Sequence, residues 1–115
     1  MKAVETKLFI VSKQFSRTPG PRTITEGDFS GELFRQKFLK PLLQSAIAEN
    51  FTVLIDLDGT AGFGTSFLEE AFGGLIRKDE YTYEVILSKF KFKSNEEPYL
   101  IDDINEYLKD AKKEP

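Results

Sequence analysis

A chain of 115 residues with 40% apolar and 30% charged residues is one domain able to bury an ordinary core. It contains no Cys and no His, which excludes disulfides, thiolate metal sites, cysteine nucleophiles and the imidazole base of most hydrolases. A net charge of −3 gives no electrostatic case for nucleic acid, and without a signal peptide or a long apolar run a cytoplasmic protein with no membrane contact is expected.

The first element is a strand expected over residues 7–15, KLFIVSKQF, with its dense apolar centre at Leu8 to Val11. SRTPGPR (16–22) reads as a sharp turn flanked by Arg17 and Arg22, and RTIT (22–25) as the short return strand of a hairpin. A helix follows, with Asp28 or Ser30 as N-cap and Phe34, Phe38, Leu42 and Ala46 stepping by four. Pro41 lies inside it and predicts a kink or two short helices; Asn50 marks its end.

Residues 51–78 carry the strongest pattern. Val53, Leu54, Ile55 and Leu57 form a buried strand, and Asp58, Gly59, Gly62 and Gly64 punctuate a turn. From Ser66, Leu68, Ala71, Phe72, Leu75 and Ile76 recur at helical spacing. Ser66 and Glu69 fit a capping box, and Gly73-Gly74 implies that another element or a partner comes close to this helix. After Asp79-Glu80, YTYEVILSKFKF reads as one or two strand segments, whose Lys89, Lys91 and Lys93 protect an edge. Leu100, Ile101, Ile104, Tyr107, Leu108 and Ala111 line a final helix, with residues 111–115 as a frayed tail. The expected architecture is α/β in one domain over 1–115: β-β-α-β-α-β-α around a single small mixed sheet, with helical crossovers. A strand running through a glycine turn into a helix start is where such folds place their sites, here between residues 58 and 70.

Two resemblances bear on that site. Ile55-Asp56-Leu57-Asp58-Gly59-Thr60 resembles the first motif of haloacid-dehalogenase-like phosphatases. That likeness implies Asp56 as nucleophile and Asp58 as general acid, with carboxylate-held Mg2+ and with Ser88 and Asp102-Asp103 as later motifs. The chain from Asp56 to Ser88 is too short for that family's cap and sheet elements, and Asp102 and Asp103 fall inside a helical period.

GDFSGELFRQKFLKPLL (27–43) followed by VLIDLDGTAGFGTSFLEEAFGGLIR (53–77) is similar to the STAS-like family of unassigned function, found as small bacterial and archaeal proteins and related to the STAS domains of anti-sigma factor antagonists. The resemblance implies a non-enzymatic interaction domain with no catalytic residue, metal or cofactor. It implies a protein partner, with an ATP-dependent serine kinase or histidine-kinase-type ATPase as the candidate, and a hydroxyl at the helix start that is phosphorylated. Ser66 falls at that position, with Thr65 just before it. The expected partner surface is the turn and helix start at 58–72, comprising Asp58, Phe63, Thr65, Ser66 and Phe67, the last as an apolar anchor, with Glu69 and Glu70 setting its charge. A third possibility is an anion cradled by the glycine turn and Arg35.

Overall fold

In the computed structural model, which describes residues 4–113, the centre of the molecule is the strand β2 (Thr52–Asp56). Phe51, Val53, Ile55 and Leu57 are all buried, as the alternation of that stretch requires. β1 (Thr6–Ile10) pairs with it on one side and β3 (Phe90–Lys93) on the other. Both pairings are parallel, placing Leu8 beside Leu54 and Leu54 beside Lys91. The sheet is therefore wholly parallel, where a mixed sheet with an antiparallel hairpin was expected.

The hairpin fails for a local reason. The strand stops at Ile10 and the chain enters a single helical turn, α1 (Val11–Gln14). The Pro19-Gly20-Pro21 loop then ties onto the next helix instead of folding back on β1. Gly20 N–H donates to Phe29 C=O (2.9 Å), Gly31 N–H to Pro21 C=O (2.9 Å) and Glu32 N–H to Arg22 C=O (2.9 Å). A Cβ at Gly20 would lie 2.3 Å from the Asp28 carbonyl oxygen, so this position needs glycine. RTIT forms a 3-10 turn over Ile24–Glu26, closed by a capping box between Thr23 and Glu26.

The helix α2 runs unbroken over residues 31–49, with the Ser30 hydroxyl accepting from Leu33 N–H at 3.0 Å. Pro41 does not split it. The turn before the proline widens into a π segment, Arg35–Leu39, in which Lys40 N–H reaches Arg35 C=O. A wider turn accommodates the missing proline N–H without ending the helix. Asn50 closes α2 in the left-handed conformation (φ 53°).

The helix α3 covers residues 65–77 and also contains a π segment, Glu69–Gly73. The stretch expected as strand from Tyr81 onward is instead largely helical, α4 (Tyr83–Lys89), capped by the Thr82 hydroxyl on Val85 N–H, and it runs directly into β3. Ile86 is its buried residue. The final helix α5 (Tyr99–Lys113) buries Leu100, Ile104, Leu108 and Ala111. Residues 111–113 are helical here, and residues 114–115 of the expected tail lie outside the described residues.

The core lies between the sheet and the helices. Phe9, Val53, Ile55 and Phe90 face it from the strands, and Phe34, Leu39, Phe67, Phe72 and Leu75 from α2 and α3. Phe34 stacks on Phe67 with centroids 5.7 Å apart. The opposite face of the sheet is polar or open: Leu8 is 55% exposed, and Thr6, Lys91 and Lys93 are exposed beside it.

Candidate functional site

The C-terminal ends of the strands release three loops that meet at one rim, and Asp58 joins two of them. Its carboxylate accepts from Glu96 N–H (2.9 Å) and Asn95 N–H (3.1 Å), while Gly59 N–H donates back to Glu96 Oε1 (2.5 Å). The Glu96 N–H bond is the main reason the Asp58 carboxyl sits below the usual carboxylate range; desolvation opposes it, while the Asn95 N–H and the Lys93 charge assist it. Asp56 Oδ1 accepts from Asp58 N–H (3.0 Å), and its Oδ2 lies 3.7 Å from Lys93 Nζ. Gly59 adopts φ +87° with the Ser12 hydroxyl 2.9 Å from where a Cβ would sit, so only glycine passes this point without strain. Ala61 N–H donates to Arg17 C=O (2.8 Å), which anchors the glycine turn to the Pro-Gly-Pro loop.

The turn delivers the chain to α3 through Gly64, which has no side chain to cap the helix. Thr65 and Ser66 are exposed in its first turn. Ser66 is the second residue of the helix, two positions past the N-cap Gly64, so the expected capping box with Glu69 does not form. Among the described residues, the first-turn N–H groups of this helix receive no side-chain cap, and they lie beside two exposed hydroxyls.

The other expected site residues are placed differently. Phe67 is not an exposed anchor: it is fully buried, with Phe15, Phe34 and Phe63 rings around it at 6.1, 5.7 and 5.7 Å. Phe63 is half-buried and rests on Phe67 from the solvent side. Glu70 is also buried, at 2% exposure, so it does not set surface charge. Its carboxylate meets Arg35 Nη2 (3.0 Å) and Lys78 Nζ (2.9 Å). Burial opposes the ionisation of Glu70, but the hydrogen bonds from Lys78 and Arg35 outweigh it and hold the carboxyl below its ordinary range. Glu69 is bridged by Arg22 (2.6 Å) and Arg77.

Arg35 belongs to this buried cluster and not to an anion cradle at the glycine turn. It is 2% exposed, and its other guanidinium nitrogen donates to Asp79 Oδ2 (2.8 Å). Its Nε, buried and without a hydrogen-bond partner, lies 2.6 Å from where a Cβ of Gly74 would be. The glycine pair thus answers to close approach within the chain: Arg35 crosses Gly74, and the Glu69–Arg77 pair crosses Gly73. Sequence reasoning missed the cluster, although an arginine inside an apolar helix stripe opposite a Gly-Gly helix was a usable signal.

The later phosphatase motifs do not gather at the rim. Ser88 lies in α4 with its hydroxyl on Val85 C=O (2.7 Å), and Asp102 and Asp103 lie within α5. Among the described residues no group of three or more Asp or Glu side chains is arranged to hold a metal ion, and no helix is long and apolar enough to cross a membrane.

No curated protein and no solved structure matches the chain. The family model described as STAS-like domain of unknown function (DUF4325) matches residues 30–100, from the cap of α2 to the first turn of α5. With more than half of its length matched, the chain belongs to the STAS-like domain family.

Proposed function

We propose that this STAS-like domain is a non-enzymatic regulatory module that binds a protein partner through the rim formed by residues 58–66, with Ser66 as the hydroxyl a partner kinase modifies. The observation that carries the reading is the start of α3: two exposed hydroxyls on a helix whose first-turn N–H groups lack a side-chain cap. Such a helix end favours a negative group, so a phosphate on Ser66 finds amide donors and a favourable dipole where it forms. Glu69 and Glu70, one turn on, do not oppose it strongly, because each is already matched by arginine or lysine.

The partner inferred is an ATP-dependent serine kinase of the histidine-kinase-type ATPase class, and the place of action the cytoplasm. A phosphoryl-transfer enzyme would need Asp56 and Asp58 free to attack and to donate a proton. Here both oxygens of Asp58 are bonded to the backbone of the β3–α5 loop, and Asp56 is engaged by Asp58 N–H and Lys93. Asp58 then acts as a clamp between loops that keeps the rim in shape.

Intact-mass measurement after incubation with ATP, Mg2+ and native cell extract tests the switch. The expected result is a gain of one phosphate that disappears in Ser66→Ala. A phosphate that persists in Ser66→Ala, or no gain in the wild type, removes the phospho-switch.

A further inference from the structure

We infer that the free edge of β1 pairs with β1 of a second copy of this chain, antiparallel and centred on Thr6, to give one continuous sheet across a two-fold axis. β1 has β2 on one side and, among the described residues, no strand on the other. The direction of its backbone is fixed by Thr52 N–H donating to Glu5 C=O at 2.9 Å. Odd-numbered residues of β1 therefore turn their backbone groups to β2, and Val4, Thr6, Leu8 and Ile10 turn theirs outward. The Ile10 N–H is taken by the Gln14 side chain at 2.7 Å, which closes that end of the edge. What remains open is the stretch from Val4 to Leu8, an edge with no proline and no bulge, whose charges, Glu5 and Lys7, are of opposite sign.

The occupant follows from self-complementarity, since a two-fold axis sets each residue against a fixed mate. Centred on Leu8, the pairing would set Thr6 against Ile10, whose N–H is already used. Centred on Lys7, it would oppose two lysines. Centred on Thr6, it sets Lys7 opposite Glu5 of the second copy and Glu5 opposite its Lys7. On the other face it sets Leu8 against Val4, which are 55% and 49% exposed in the single chain. Opposite charges and apolar side chains directly across a strand pair both favour this register. Beside the same edge, Phe9, Phe38, Pro41 and Leu42, with Gln14, Lys37 and Ser45 among them, line a shallow groove between β1 and α2 that adds some apolar surface for the approaching copy.

Sedimentation equilibrium over a range of concentrations tests the pairing. The 13.1 kDa chain should sediment as a reversible dimer. Thr6→Pro removes an outward N–H that β1 does not use for β2, so it should give a folded monomer with unchanged circular dichroism. Lys7→Glu places like charges opposite each other twice and should raise the dimer dissociation constant about tenfold. The exchanged variant Glu5→Lys/Lys7→Glu should restore it. A wild-type chain that is monomeric at every concentration overturns the inference. So does a dimer insensitive to Lys7→Glu, or one that the charge exchange fails to restore. Should Thr6→Pro unfold, the charge variants alone decide.

Discussion

The rim at residues 58–66 and the ion cluster between α2 and α3 hold opposite kinds of polarity. In the cluster, Arg35, Glu70 and Asp79 are nearly or fully buried, and each charge is matched by another. At the rim, Asp58 is spent on a loop, and what stays open is neutral: two hydroxyls beside backbone donors without a side-chain cap. The conspicuous charges of this chain hold its architecture together, and its candidate chemistry rests on small residues. A reader of sequence weights Asp and Glu because they do chemistry in many proteins. Here desolvation decides their role, since a buried carboxylate without cations would be untenable, and one with two cations is fixed in place.

The contrast breaks most visibly at Phe67, buried directly behind the rim. Phe67→Ala should cost about 4 kcal/mol of unfolding free energy, because it empties a site among Phe15, Phe34 and Phe63. Urea denaturation checks this. A loss below about 1 kcal/mol would return Phe67 to the surface role that its place near the helix start suggested.

Removing one member of the cluster comes next. Glu70→Gln should destabilise by roughly 3 kcal/mol, as Arg35 is left buried beside a neutral group. The paired change Arg35→Met/Glu70→Leu should be milder than the sum of its single changes, because neither of the two is left buried opposite a neutral group, while the loss of the Arg35 bond to Asp79 is common to the double change and to Arg35→Met alone. Equal, additive losses in the cycle would mean that the two side chains stabilise the helices independently.

These two residues also mark the limit of what could be read in the sequence. The strand expected over 53–57, the glycine turn, the helix expected from Ser66, the stop at Asn50 and the final helix follow from local pattern, and the structure has them, the strand at Thr52–Asp56 and the helix from Thr65. Phe67 is in phase with Ala71 and Leu75, four residues apart on the α3 stripe, and that phase, rather than the anchor role expected from the resemblance, marks it as core. Glu70 lies outside a regular helical stripe. It is buried because the π segment over Glu69–Gly73 widens the turn and rotates an extra residue toward α2. The strand expected near residue 83 failed because Tyr83, Val85 and Leu87 alternate, while the Thr82 cap and the burial of Ile86 commit the same residues to a helix. The mixed sheet failed because the partners of residues 20–32 are each other, a pairing of loop backbone that side-chain periodicity does not encode.

Acid should weaken both the cluster and the rim. The folded-state pKa of Glu70 lies below its unfolded value of 4.5, so its contribution is complete above that value. It is lost as pH falls through the lower, folded value. Asp58 has the same sign, lowered from 3.8. Stability should be flat from neutrality to mildly acidic pH and then decline, and the decline should be shallower in Glu70→Gln. A parallel decline in that variant would assign the acid sensitivity to other carboxylates.

The smallest expected change is the one that bears on the proposed switch. Ser66 is exposed and its hydroxyl caps nothing, so Ser66→Ala should alter stability by no more than about 0.5 kcal/mol. Ser66→Asp should stabilise the fold by about 0.3–1 kcal/mol, because it places a negative charge in the first turn of α3, where the dipole and the uncapped amides favour it. Adding salt should shrink that gain. The sign separates two kinds of switch. If Ser66→Asp stabilises, phosphate at Ser66 leaves α3 intact and acts by changing the charge that a partner meets. If Ser66→Asp destabilises, the negative group is resisted by Glu69 despite its arginines, and modification would act by loosening the helix start. The pairing of Glu69 with Arg22 and Arg77 favours the first outcome, so a phosphate there would regulate by recognition and leave the fold unchanged.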